Sequence, residues 1–341
     1  MKNGENALKI KSMLQCSNIT GVALVSSRTT TSHAIAEGLD VPNNHDVTNV
    51  FFHESPAMLT TLDATTLDRI ASLKRSDRMP VLFLGHGSPM NALPGNPYFE
   101  SWQALGSDFG RTMARPQLIL CISAHWLTEG WWLTAMPQPK TLHDFGDFPQ
   151  ELFDQQYPAP GDPTAAGAIS LLVRQRSAKP LGLDTHQWGL DHGAWSVLKP
   201  MFPNADIPVI QLSMDYGRAP EEHYALAQQL KQLRDRGVLI VASGNIVHNL
   251  RQMQRGASGD QAYDWALEFD QTIGGYVQQG NLAALQNFQK LGSLASMAHP
   301  TYEHFLPLLY AAGAVDAREP MRFFNTSFQG GSISMRSMVW G

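Results

Sequence analysis

PVLFLGHGSP, residues 80–89, is the stretch that decides the fold. Pro80 introduces a fully apolar run too short for a helix, and the Gly-His-Gly-Ser-Pro that follows has to turn. A strand without polar alternation is covered on both faces, as in a parallel sheet sandwiched by helices. Outward from it the same grammar recurs. QLILCIS (117–123) runs into Ala124-His125-Trp126, PVIQLSM (208–214) into Asp215, and GVLIVAS (237–243) into Gly244-Asn245. Amphipathic stretches lie between them. The clearest, Glu221 to Arg236, puts Leu226, Leu230 and Leu233 on one face. The alternation predicts an α/β fold: a single domain with a mainly parallel central sheet flanked by helices. SISMRSMV (332–339) alternates with period two and is expected as an antiparallel edge strand.

Residues 1–78 read differently. They are rich in Ser, Thr and Asn, with helical spacing only over Leu62 to Leu73. A largely disordered N-terminal extension is expected there, and a catalytic domain over 79–341.

The totals exclude several classes. A net charge of -5 over 341 residues, with scattered Lys and Arg, offers no stripe for a phosphate backbone, so no nucleic acid partner is expected. The two cysteines, Cys16 and Cys121, make no disulfide framework and suit a reducing cytoplasm. No apolar run approaches bilayer length, and no export signal is evident. A cytoplasmic protein without a membrane partner is expected.

Twelve histidines is a high count, and several stand beside Gly, Asp or Pro at the ends of apolar runs. In open α/β sheets ligands bind beyond the carboxyl ends of strands, so His86 and His125, each following a strand, can converge. His125 taken alone reads better as a core histidine packed by Trp126, and its pairing with His86 reverses that. His248, in SGNIVHN, follows a strand and is expected to open a helix. His304, in HPTYEH, is expected in the first helical turn behind Thr301 as N-cap. These four, His86, His125, His248 and His304, are the candidate metal ligands. His192, beside Asp191, is assigned an acid/base role, which His248 can share. His143 and Trp126 are the candidate substrate contacts. His33, His45, His53, His186 and His223 read as solvated surface histidines, and His299 is ambiguous. The aromatics Trp131, Trp132, Phe145, Phe148, Trp188 and Trp195 lie near these motifs and serve either as pocket wall or as core. HExxH, CxxC, GxGxxG and P-loop motifs are absent.

Six ordered motifs, GHGSPMNAL, SAHW, HDFGDFPQELFDQQYPAPGDP, WGLDHGAWSVL, SGNIVHNL and PTYEHFLPLLYAAGA, resemble the class III extradiol dioxygenases of the 4,5-DOPA-dioxygenase-like branch, over about Met79 to Gly341. The resemblance implies a single α/β domain with one non-haem Fe2+ or Zn2+. By the same resemblance His86 and His125 match the first two ligands and His304 a third. His248 matches a residue that is ligand or acid/base, and His192 a catalytic-pocket histidine. The implied activity opens a catechol, DOPA-like ring with O2. Protocatechuate-cleaving relatives carry a carboxylate as third ligand, whereas here His304 stands next to Glu303. An all-histidine set also suits zinc, which leaves a zinc-dependent hydrolase, or a non-enzymatic metal-binding protein on the same scaffold, as alternatives.

Overall fold

The computed structural model describes residues 73–254, 256 and 261–341. Residues 1–72, which hold most of the expected extension, lie outside the described residues. Residues 73–78 rest on the domain: Leu73 is buried, Ser76 N–H donates to the Asp235 carbonyl at 3.1 Å, and Arg78 pairs with Asp235 and Asp316.

The strands are β1 (Val81–Gly85), β2 (Leu118–Thr128), β3 (Trp132–Thr134), β4 (Gly182–Asp184), β5 (Val209–Asp215), β6 (Val238–Gly244), β7 (Met321–Phe324), β8 (Phe328–Gln329), β9 (Ile333–Ser334) and β10 (Ser337–Trp340). The α-helices are α1 (Pro97–Asp108), α2 (Gln150–Phe153), α3 (Pro163–Leu172), α4 (His192–Met201), α5 (Pro220–Leu230), α6 (Asp264–Gln278), α7 (Ser293–Ala298) and α8 (Leu306–Gly313). The main sheet runs β4-β3-β5-β2-β6-β1-β10-β7. Its centre, β5, β2, β6 and β1, is parallel throughout, and β10 and β7 join antiparallel.

Alternation within the apolar runs feeds two cores. Leu82, Leu84, Ile119, Cys121, Leu239 and Val241 pack with Trp102 of α1 and Trp195 of α4. Val81, Phe83, Leu120, Ile122 and Ile240 face Leu226 and Leu230 of α5, Phe269 of α6 and Leu308 of α8. Each fully buried Leu, Ile or Val contributes about 1.5–3 kcal/mol. No helix among the described residues is long and apolar enough to cross a membrane.

Several local expectations are corrected. SISMRSMV is divided: β9 pairs with β8 in a separate two-stranded sheet, and β10 lies inside the main sheet because β7 covers its outer side. The Arg336 guanidinium between them turns to Asp270 at 2.6 Å, which ends the alternation. The helix expected to reach Arg236 is α-helical only to Leu230 and tightens into a 3-10 turn over Lys231–Arg236. Arg234 in that turn is buried and spends its donors on the carbonyls of Met79 (2.7 Å) and Ala314 (3.0 Å) and on Glu319.

Candidate active site

β1 and β6 pair Gly85 with Gly244, so the two strands stop level and His86 leaves the sheet beside Asn245. A Cβ on Gly244 would stand 2.3 Å from the His304 carbonyl oxygen. Only glycine lets the loop carrying His304 dock there, and Asn245 N–H then donates to that carbonyl at 2.9 Å. His304 therefore precedes α8 rather than lying in its first turn. Thr301 does not cap the helix; its hydroxyl donates to Glu303 Oε1 at 3.1 Å. SGNIVHN likewise opens no α-helix. His248 forms an isolated bridge with Ile333 and donates its N–H to the Ala298 carbonyl, which fixes the segment as a loop.

His125 is delivered by an irregularity in β2. The register with β5 jumps from Ile122↔Leu212 to Leu127↔Met214, so β2 carries surplus residues that bulge at the sheet end. Ser123, just before the bulge, donates to Asp191 Oδ1 at 2.6 Å. Asp191 is the N-cap of α4, accepting from Ala194 N–H at 3.1 Å, and also takes Trp188 Nε1–H and Gln211 Nε2–H. Burial and the Asp144 charge push its carboxyl up to about 6, against the pull of the Ser123 and Gln211 bonds. A Cβ on Gly193 would meet Ser123 Oγ at 2.3 Å and His125 Cδ2 at 2.9 Å, so this glycine admits the start of α4, with His192, against β2.

Hydrogen-bond accounting assigns the imidazole tautomers. Ser243 Oγ lies 2.5 Å from the Gly193 carbonyl, which can only accept, so the hydroxyl proton goes there. Ser243 then accepts from His86 Nδ1–H at 3.0 Å, leaving the lone pair on His86 Nε2. His304 Nδ1 faces Glu303 Oε1 at 3.0 Å, and His125 Nδ1 faces Asp144 Oδ2 at 3.5 Å, which favours the same tautomer in both. His86 Nε2 and His125 Nε2 stand 3.2 Å apart. Two lone pairs so placed repel unless a proton or a cation lies between them.

The proton is disfavoured. Burial, then the charges of neighbouring imidazoles, hold His86, His125 and His248 well below the usual histidine range, and burial brings His304 down to about 3. Neutral, convergent imidazoles fit a divalent cation. Ligand nitrogens each about 2.0–2.1 Å from one ion lie roughly 3–3.5 Å apart, the spacing of the His86–His125 pair. One nitrogen each from His86, His125 and His304 falls within 4.8 Å of the others.

His248 is placed differently from these three. Its ring stacks on His304, centroids 3.5 Å apart and 6° from parallel, and its nitrogen groups with His304 and Glu303. His192 packs on His125 at 3.9 Å between centroids. His143 and Trp126 are not brought onto the nest. His143 Nε2–H donates to the Gln155 carbonyl at 2.9 Å, and the ring packs with Phe145, Phe153 and Trp195. Trp126 is buried and stacks on Trp188, 5° from parallel. Asp191, although adjacent to His192 in sequence, caps α4.

The carboxylate that does face His192 is Asp144, a residue the sequence reading passed over although HDFGDFP contains it. Burial opposes its ionisation, but the His192 hydrogen bond and the charges of His192 and His125 hold it well below the usual carboxylate range. One further expectation changes: His223 is fully buried, not solvated. His299, left ambiguous by the sequence, is buried, and His186 is exposed as expected. His33, His45 and His53 lie outside the described residues.

Residues 80–333 match the family described as the catalytic LigB subunit of aromatic ring-opening dioxygenase. The chain is 45% identical over 273 residues to the 4,5-DOPA dioxygenase extradiol of Escherichia coli (strain K12), covering 78% of this chain and 96% of that protein. To the Beta vulgaris protein of the same name it is 35% identical over 259 residues, covering 75% and 94%. The crystal structure of an uncharacterized protein from Escherichia coli K12 superposes with a TM-score of 0.66 at 40% identity, over 77% of this chain and all of that one. A family match that spans the whole run from β1 to β9, and so includes every strand end and loop that carries the nest, means that the chain belongs to the LigB family of extradiol, aromatic ring-opening dioxygenases.

Proposed function

We propose that this enzyme opens the ring of a catechol, DOPA-like substrate with O2, using one divalent ion held by His86, His125 and His304. The observation that carries the reading is the facing pair of uncommitted nitrogens, His86 Nε2 and His125 Nε2, 3.2 Å apart with His304 beside them. Fe2+ bound there supplies Lewis acidity toward the catechol oxygens and the redox capacity that dioxygen chemistry requires, which Zn2+ lacks.

The chain's own groups handle protons and water. His192 packs on His125 and accepts a phenolic proton at Nε2, the nitrogen opposite Asp144. His248, neutral at pH 7 and stacked on His304, is the second proton carrier, and the stacking holds its ring plane fixed. Phe145, edge-on to His192 at 5.5 Å, excludes water from that side and offers an apolar wall to an aromatic ring. Trp126 on Trp188, and His143 behind Phe145, back the wall on which the substrate rests. The partners are a small catechol and O2. The buried thiol Cys121 suits the reducing cytoplasm proposed as the compartment.

The deciding experiment reconstitutes metal-free protein anaerobically with Fe2+, and separately with Zn2+. O2 uptake and a yellow ring-opened product are followed with L-DOPA, catechol and protocatechuate. Turnover with Fe2+ alone is expected; hydrolysis by the Zn2+ form without O2 uptake would replace the reading with a hydrolase. In the same assay His248→Ala is expected to keep its ion and slow turnover by about 10²-fold or more. Loss of the ion would make His248 a ligand instead.

A further inference from the structure

We propose that Asp144 is a positioning residue: through one carboxylate it fixes the tautomer of His192 and braces His125, so that both rings present Nε2. The kinetic part of the proposal rests on the function proposed above; the tautomer does not.

The geometry is that of a carboxylate shared by two imidazoles. Asp144 Oδ1 lies 3.0 Å from His192 Nδ1, and Oδ2 lies 3.5 Å from His125 Nδ1. Oδ1 also accepts the backbone N–H of His192 at 2.8 Å. His192 Nδ1 sits off the ideal hydrogen-bond line and has no other partner, although it is buried. A buried ring nitrogen 3.0 Å from a carboxylate oxygen keeps its proton on that side, since two facing lone pairs would repel. The Nδ1–H tautomer follows, and Nε2 carries the lone pair.

The carboxylate is held in place from both flanks. On one side His143 Nε2–H donates to the Gln155 carbonyl, and Trp195 Nε1–H donates to the Leu142 carbonyl at 2.8 Å. On the other side Phe145 packs against Phe148, Phe153 and Trp195. The backbone bond from His192 then ties the loop to the first residue of α4. A ligand role is the competing reading, because His125, Asp144 and His192 also present donor atoms within 4.8 Å of one another. It conflicts with the rest of the site. His125 turns Nε2 to His86, so its Nδ1 cannot bind an ion with Asp144 without abandoning the His86–His304 group.

Oδ1 serves both the backbone N–H and the Nδ1 of His192, so an amide that kept its oxygen on the backbone bond would leave His192 unchanged and turn its NH2 to His125. The informative variant is therefore Asp144→Ala, which removes both oxygens and leaves Nδ1 of His192 without its acceptor. Loss of an aligning carboxylate costs up to about 10⁴-fold in turnover.

The test is long-range 1H–15N spectroscopy of the histidine rings in the full-length protein loaded with Zn2+, which is diamagnetic, with the His192 signals assigned from His192→Gln. The wild type is expected to show His192 as Nδ1–H, and Asp144→Ala to show Nε2–H or an averaged ring, with about one Zn2+ per chain retained in both. In the Fe2+ enzyme Asp144→Ala is expected to lower kcat by about 10²-fold or more with KM changed only a few-fold. It should add no further loss in a His192→Gln background, since it acts through that ring. A wild-type His192 in the Nε2–H form overturns the proposal, whatever the variant does. So does loss of Zn2+ from Asp144→Ala with the tautomer unchanged, which would make Asp144 a ligand, and so does a full additional loss in the double variant. If the wild type opens no catechol, the function proposed above fails while the ring spectra still decide the role of Asp144.

Discussion

Among the described residues, His223 and the nest histidines occupy two separate regions, and only one of these looks like a centre of chemistry. His223, on α5, sits with its Nδ1 2.8 Å from the Tyr310 hydroxyl, which itself receives Trp131 Nε1–H at 2.6 Å. Burial brings His223 down to about 4, despite the nearby backbone of Arg218 and Asp215 and the Asp215 charge. His86, His125 and His304 are likewise held below the usual histidine range, first of all by burial. The difference lies in what the second nitrogen faces. His223 Nδ1 meets a hydroxyl that links α5, α8 and Trp131, and its Nε2, which has no hydrogen-bond partner, joins no group of ligand atoms among the described residues, whereas the nest rings turn their second nitrogens toward one another. Depressed basicity thus marks burial; convergence of uncommitted nitrogens marks the site.

The contrast breaks most sharply on metal retention. His86→Ala and His125→Ala each remove one of the two facing nitrogens, so bound Fe2+ or Zn2+ is expected to fall from about one ion per chain to below roughly a tenth, with no measurable ring opening. His223→Gln, which alters an equally buried imidazole, should keep its ion. Elemental analysis after desalting reads both. Retention by His86→Ala, or loss from His223→Gln, would erase the distinction between the two regions.

How far these regions were legible in the sequence depends on the range of the interaction involved. β1, β2, β5 and β6 are written as largely apolar runs, because a strand buried on both faces disfavours polar residues, and His86 follows from the end of β1; His125, expected after its strand, lies instead within β2, in the irregular stretch between Ile122 and Leu127. His223 was legible too: with Leu226, Ala227 and Leu230 it keeps the three-and-four spacing of one helix face, a pattern outweighed by the expectation that an isolated histidine is solvated. What local pattern does not carry is the partner of each ring. Ser243 reaches His86 across 157 residues, and Asp144 reaches His192 from a loop 48 residues away. The position of His304 depends on the absence of a side chain at Gly244. Edge strands fail for a related reason, since whether β10 is an edge is decided by β7, not by β10's own alternation.

The pH dependence of stability sharpens the comparison from the other side. An ordinary unfolded-state histidine titrates near 6.5, while His223 in the folded protein titrates at about 4. Between these values the unfolded chain binds the extra proton, so the folded state loses stability as pH falls from about 7 to 4. For this one ring the loss is roughly 3 kcal/mol, fully present only below the folded value. Urea unfolding of metal-free wild type and His223→Gln at pH 7 and pH 4 is expected to show a flatter pH response in the variant by that order. Equal slopes would mean that the burial of His223 is relieved in solution.

The smallest effect expected is at Ser243, where the nest is tuned without being dismantled. The hydroxyl donates to Gly193 and thereby becomes an acceptor for His86 Nδ1–H, so Ser243→Ala leaves that buried N–H without a partner and frees the ring to take either tautomer. Loss of such an outer partner typically weakens metal affinity by about 10–100-fold while the ligand itself remains. Competition with a chelator of known affinity should therefore place Ser243→Ala between the wild type and His86→Ala, and Ser243→Thr, which keeps the hydroxyl, near the wild type. If Ser243→Ala binds as tightly as the wild type, the tautomer of His86 is set by the metal rather than by the protein. The site would then owe its order to the ion it captures, in contrast to His223, whose ring is oriented by the Tyr310 hydroxyl without one.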